Sequence, residues 1–158
     1  MGLDITAYEK VEWLRELTDD DDGDGGGDVV LSMPDFPEHA DGLKEGIYRA
    51  SGAFRFRAGS YGGYNRFREA LAEMVGYTPR QAWDQQDEYK DRSFFPLVCF
   101  SDCEGTIGPE TSARLARDFA AHADKAATWC KREGFPELYA EWRHAFELAA
   151  GAGAVTFH

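Results

Sequence analysis

The sequence predicts an α+β domain: a small mixed or antiparallel sheet packed against two long helices of the C-terminal half and one central helix. Two observations carry that class. Strand-like alternation is concentrated before residue 60 and returns at the tail, whereas helical spacing of apolar residues dominates between them. No internal repeat divides the 158 residues, so one domain spans 1–158.

The elements follow in order. Leu3, Ile5 and Ala7 share one face of a strand over 3–8, and EKVEWLREL either extends it or forms a short helical turn. TDDDDGDGGGD at 18–28 predicts a mobile acidic, Gly-rich loop, because like charges repel and glycine resists ordering. VVLSM at 29–33 predicts a short strand ended by Pro34, and 35–46 an irregular surface segment. GIYRASGAFRFRA at 46–58 predicts a third strand, with Tyr48, Phe54 and Phe56 on one parity and Arg49, Arg55 and Arg57 on the other. FRFR then buries two rings and presents two guanidiniums, which Arg49 joins only if Ser51-Gly52 inserts no bulge.

Residues 60–76 predict a loop and then a helix, with Tyr64, Phe67, Leu71, Met74 and Val75 on its apolar stripe and Gly76 as C-cap. Thr78 and Pro79 open a short helix, and 84–92 reads as a solvated connection. The apolar run FFPLVCF at 94–100 predicts a buried strand, with SDCEGTIG as a loop after it. The longest helix is expected over 109–130, with Leu115, Phe119, Ala123, Ala126 and Cys130 as its stripe. A last helix spans 135–150, and AVTFH closes the chain as a strand.

The formal net charge is −12, which opposes direct binding to nucleic acid or an anionic membrane. No apolar run approaches the ~20 residues a bilayer span needs, and the N-terminus lacks a secretory pattern. Three cysteines, an odd number, fit reduced thiols in a cytoplasm. Gly2 and Thr6 fit the myristoylation spacing, but Asp4 and the lack of nearby basic residues oppose it.

Against that acidic background, residues 46–68 hold Arg49, Arg55, Arg57, Arg66 and Arg68 and no acid. Gly62 and Gly63 precede a helix N-terminus, where free amides and the helix dipole receive anions. Arg55, Arg57 and Arg66 offer forked donors, Ser60 stands at the helix entry, and Tyr61 and Tyr64 offer rings for stacking. These parts suit a small phosphate-bearing, nucleotide-like ligand, although SYGGYN is not a P-loop. The competing reading pairs the same arginines with surplus carboxylates.

A second candidate is FSDCEGTIGPE at 100–110. Asp102 and Glu104, with Glu110, could read polar groups, hold a hard cation or act as acid and base. The plainer reading makes them turn and helix caps. Asp20, Asp22, Asp24 and Gly25 begin a calcium-loop pattern, but Leu31 occupies the position of its bidentate glutamate. Cys99 and Cys103 lack a second pair of zinc ligands, and strand parity gives both a core role. A Cys103–His nucleophile pair is a further enzymatic option beside the carboxylates of 102–110.

MGLDITAY, SYGGYNRFRE at 60–69, FSDCEG at 100–105 and the AVTFH tail resemble small phage and prophage proteins of unassigned function. The resemblance spans nearly the whole chain and brings no catalytic residues with it. It implies action against host defence, by blocking a protein or sequestering a nucleotide signal.

The expected function is non-enzymatic capture of a small anionic ligand by Arg55, Arg57, Ser60, Tyr61, Gly62, Gly63, Tyr64 and Arg66, with Asp102 and Glu104 reading its polar groups. No cofactor is called for, and a homodimer would supply enclosure. The alternative is charge mimicry, in which the acids at 19–28 and 84–91 inhibit a basic host protein. The third is a small metal- or carboxylate-dependent hydrolase built on 102–110.

Overall fold

The computed structural model describes residues 2–21, 27–33, 35–129 and 132–158. Twelve named strands and α-helices run β1 (Leu3–Arg15), β2 (Asp28–Leu31), β3 (Gly46–Gly59), α1 (Tyr61–Met74), α2 (Pro79–Asp84), α3 (Gln86–Tyr89), α4 (Phe95–Val98), β4 (Gly105–Ile107), α5 (Pro109–Ala121), α6 (Ala123–Thr128), α7 (Phe135–Ala149) and β5 (Ala154–Phe157). The sheet has the order β2-β3-β1-β5-β4, and every strand pairing is antiparallel. The predicted class is therefore the observed one, with the closing strand inserted next to the opening strand.

One face of the sheet supplies Leu3, Ile5, Ala7, Phe56, Val155 and Phe157 to the core shared with the helices. Trp142 of α7 is fully buried at its centre, stacked on Tyr64 at 5.6 Å and meeting the Phe56 ring edge-on at 5.0 Å. Each such large apolar side chain contributes roughly 1.5–3 kcal/mol when withdrawn from water. The helix start at α5 needs help from elsewhere, since its N-cap is Gly108. Asp41 supplies it: Oδ2 accepts from Thr111 N at 2.7 Å, and Oδ1 from the Thr111 hydroxyl at 2.9 Å.

Several expectations are corrected. FFPLVCF is no strand: Phe95–Val98 form one helical turn entered from Phe94 at φ 65°, with Pro96 in the first turn. All four of its residues are buried, and an apolar run buried on every side carries no period to distinguish strand from helix. Cys99 and Cys103 consequently share no strand face; Cys99 is buried and Cys103 exposed.

The loop after FFPLVCF contains β4, three residues paired with β5 and tied to Ser32 O by the Thr106 hydroxyl at 2.9 Å. The long helix breaks at His122 into α5 and α6, so α7 is the longest helix among the described residues. EKVEWLR continues β1 to Arg15. A 3-10 turn at Pro37–Ala40 and the short α3 interrupt segments expected to be irregular.

The β1–β3 register runs unbroken from Asp4↔Arg57 to Trp13↔Tyr48, so Ser51-Gly52 inserts no extra residue. Tyr48 nevertheless leaves the rings of Phe54 and Phe56 and packs with Leu31 and Ala154 in a second, small cluster. Pro34, Cys130 and residues 22–26 of the acidic loop, including the calcium-pattern residues Asp22, Asp24 and Gly25, lie outside the described residues. Within that loop, the Arg15 guanidinium grips both oxygens of Asp21, at 2.7 and 2.5 Å, and holds its carboxyl well below the usual range.

Candidate functional site

A cleft of about 410 Å³ opens between the end of β3, the start of α1 and the start of α7. Arg57, Gly63, Arg66 and Arg132 border it, and Phe67, Phe135 and Leu138 form its apolar lining. Local chemistry explains the placement. Alternation along β3 sends Phe56 inward and leaves Arg57 outside. Ser60 then ends the strand as the N-cap of α1, its Oγ accepting from Gly63 N at 3.0 Å. A Cβ on Gly62 would stand 3.7 Å from Arg66 Nη1, so that guanidinium hangs over the first turn of its own helix. The first turn of α1 contains no acid.

The arginines here differ in their commitments. Arg57 makes an exposed ion pair with Asp4 at 3.4 Å. Arg132 meets Glu69 at 3.7 Å through Nη2, while its Nη1 is buried with no hydrogen-bond partner. Arg66 is exposed and belongs to no hydrogen bond or ion pair among the described residues. Arg68 is spent on structure: Nη1 donates to the carbonyls of Val98, at 3.3 Å, and Phe100, Nη2 donates to Asn65 Oδ1, and the guanidinium covers the Tyr64 ring at 4.7 Å.

The predicted residues therefore divide. Arg57, Gly63 and Arg66 border the cleft; Gly62 and Gly63 lie inside the first turn of α1 rather than before it, because the Ser60 cap starts the helix at Tyr61. Tyr61 is exposed, whereas Tyr64 is wholly buried, its ring in the core and its hydroxyl raised well above the usual phenol range by that burial. Tyr64 thus has no surface for a base. Arg55 lies in a different hollow of about 350 Å³ with Asp4, Thr6, Tyr8 and His158. Arg49 stands opposite Glu12 and Asp28 on the neighbouring strands, so it is matched by acids. Asp102 accepts from Asn65 Nδ2 at 3.3 Å, which ties it to the Arg68 network. Glu104 is exposed at a turn closed by Ser101 Oγ.

Arg132, Gly134, Glu133, Glu137 and Glu141 also line the cleft, and sequence reasoning missed them. A signal existed: Arg132-Glu133-Gly134 repeats the arrangement of a basic residue and a glycine just before a helix start.

Elsewhere, Cys99 lines a hollow with His39, Glu38 and Arg114, but burial pushes its thiol up to about 11 and leaves it a poor nucleophile near neutrality. Among the described residues, no three His, Cys, Asp or Glu side chains gather into a metal-binding set. Among them too, no helix is long and apolar enough to cross a membrane. Comparison with family models, curated proteins and solved structures found no match to the chain.

Proposed function

We propose that the protein is a non-enzymatic binding protein that captures a small phosphate-bearing ligand in the cleft bordered by Arg57, Arg66 and Arg132. The observation that carries this reading is a pair of guanidiniums with donors to spare beside an acid-free helix start: Arg66, without a hydrogen bond or ion pair among the described residues, and Arg132, which meets Glu69 through Nη2 but leaves Nη1 buried and unpartnered. A buried unsatisfied donor costs about 1–3 kcal/mol, and a charged one more, which an incoming anion would recover. Forked N–H groups and the amide end of a helix suit phosphate oxygens. The resemblance to small phage proteins implies a cytoplasmic setting, in which such capture would sequester a host signal.

Isothermal calorimetry with orthophosphate, ethyl phosphate and nucleoside mono- and diphosphates tests it. The expected result is heat with at least one of them and about tenfold weaker binding by Arg66→Ala, with an unchanged melting temperature. No heat from any compound with folded protein defeats the reading.

A second reading, inhibition of a basic host protein, is favoured by one observation. Trp83 is 44 % exposed beside the exposed acids Asp84, Asp87, Glu88 and Asp91. A half-exposed tryptophan is a common anchor of an interface. Under this reading, Trp83→Ala abolishes binding to such a partner and Arg66→Ala does not.

A further inference from the structure

The cleft carries both signs of charge, and the two do not meet. Glu137 and Glu141 stand four residues apart on α7, so both project from one face, and Glu133 lies just ahead of the helix. All three are exposed and border the same space as Arg57, Arg66 and Arg132. Arg57 takes its carboxylate from Asp4, and Arg132 from Glu69, both outside that glutamate row. Among the described residues, neither Arg66 nor any of Glu133, Glu137 and Glu141 enters an ion pair.

Arginine and glutamate side chains are long enough to close a narrow gap. With no such pair among the described residues, both sets stay open to a ligand. A row of like charges on one helix face is also mildly unfavourable by itself. A single molecule that is anionic at one end and cationic at the other would satisfy both sets, its middle resting on Leu138, the partly exposed apolar side chain of the lining. The cleft volume of about 410 Å³ is that of a small-molecule site and too small for a folded partner.

We propose that the ligand of this cleft is a small zwitterion, its phosphate held by Arg66 and Arg132 and a protonated amine held by Glu137 and Glu141. This rests on the anion-binding reading and goes beyond it by assigning the glutamates a recognition role.

The test uses two probes that differ only in the ammonium group, phosphoethanolamine and ethyl phosphate, titrated by calorimetry into the full chain. The wild type is expected to bind phosphoethanolamine about tenfold more tightly than ethyl phosphate. The double variant Glu137→Gln/Glu141→Gln alters exposed side chains and is expected to keep its fold, to bind ethyl phosphate more tightly because two repelling carboxylates are gone, and to lose the preference. Arg66→Ala weakens both probes. Equal or tighter binding of ethyl phosphate by the wild type overturns the zwitterion and leaves anion capture standing. A preference that survives the double variant overturns the role of α7. Binding of neither probe defeats both.

Discussion

The two ends of α1 are finished in opposite ways. At the carbonyl end, Tyr77 N bonds to Ala72 O at 3.0 Å and Gly76 N to Glu73 O at 3.1 Å, a paired closure that Gly76 permits at φ 91°. Two cations then complete it. Lys125 Nζ donates to Met74 O at 2.5 Å, and Arg92 Nη2 donates to Val75 O at 2.7 Å. The negative end of the dipole is thus matched by the protein's own charge. At the amide end there is Ser60, no acid, and an open cleft bordered by arginines. The chain has 29 acidic residues to draw on. One end is built for stability, and the other withholds the internal partner that would have stabilised it most cheaply.

The sharpest way to break that contrast is to compare Arg68 with Arg66. Arg68→Ala removes donors to Val98 O, Phe100 O and Asn65 and bares the Tyr64 ring, so a loss of about 3 kcal/mol is expected in urea denaturation. Arg66→Ala should change stability by less than about 0.5 kcal/mol. Equal losses would mean that Arg66 is structural, and the open end would cease to be special. Next comes Lys125→Met at the closed end, with an expected cost of about 1–2 kcal/mol. Ser60→Ala at the open end should cost about 1 kcal/mol, since one side-chain cap is all that end possesses. Ethyl phosphate should raise the wild type and Lys125→Met by the same increment, because the cleft is intact in both, and Ser60→Ala by a different one, because that change lies beside the cleft.

Legibility followed the range of the interaction that fixes each element. The alternation of Phe54 to Arg57 and the stripe of Tyr64, Phe67 and Leu71 were readable because their periods are local. Thr78 with Pro79 gave α2 its start for the same reason. β4 was invisible, since Gly105–Ile107 is a strand only by pairing with β5, some fifty residues later. The turn of α4 was hidden by burial on all sides. At the site, the sequence offered Arg55, Arg57 and Arg66 as equals. Tertiary placement separates them, sending Arg55 toward Tyr8 and His158 and bringing Arg132 from a distant helix start to the other two. No local period carries that information.

The smallest effect is expected from acid, and it asks whether the frame can be weakened without touching the cleft's arginines. Burial lowers the imidazoles of His39 and His158 below their ordinary value, against the opposing pull of Glu38 and Asp41 on the first and Asp4 on the second. His158 Nε2 also lies 2.9 Å from Thr6 Oγ1, on the strand that opens the chain. A group that resists its proton when folded takes it up readily when unfolded, at about pH 6.5. The unfolded chain therefore binds more protons as pH falls below that value, and stability falls with it until pH drops past the folded values. Denaturation midpoints should decline from pH 7.5 to pH 5 and flatten in the double variant His39→Gln/His158→Gln. A decline that persists undiminished in that variant would move its cause away from these two rings and toward the carboxylates, including the row on α7 beside the cleft.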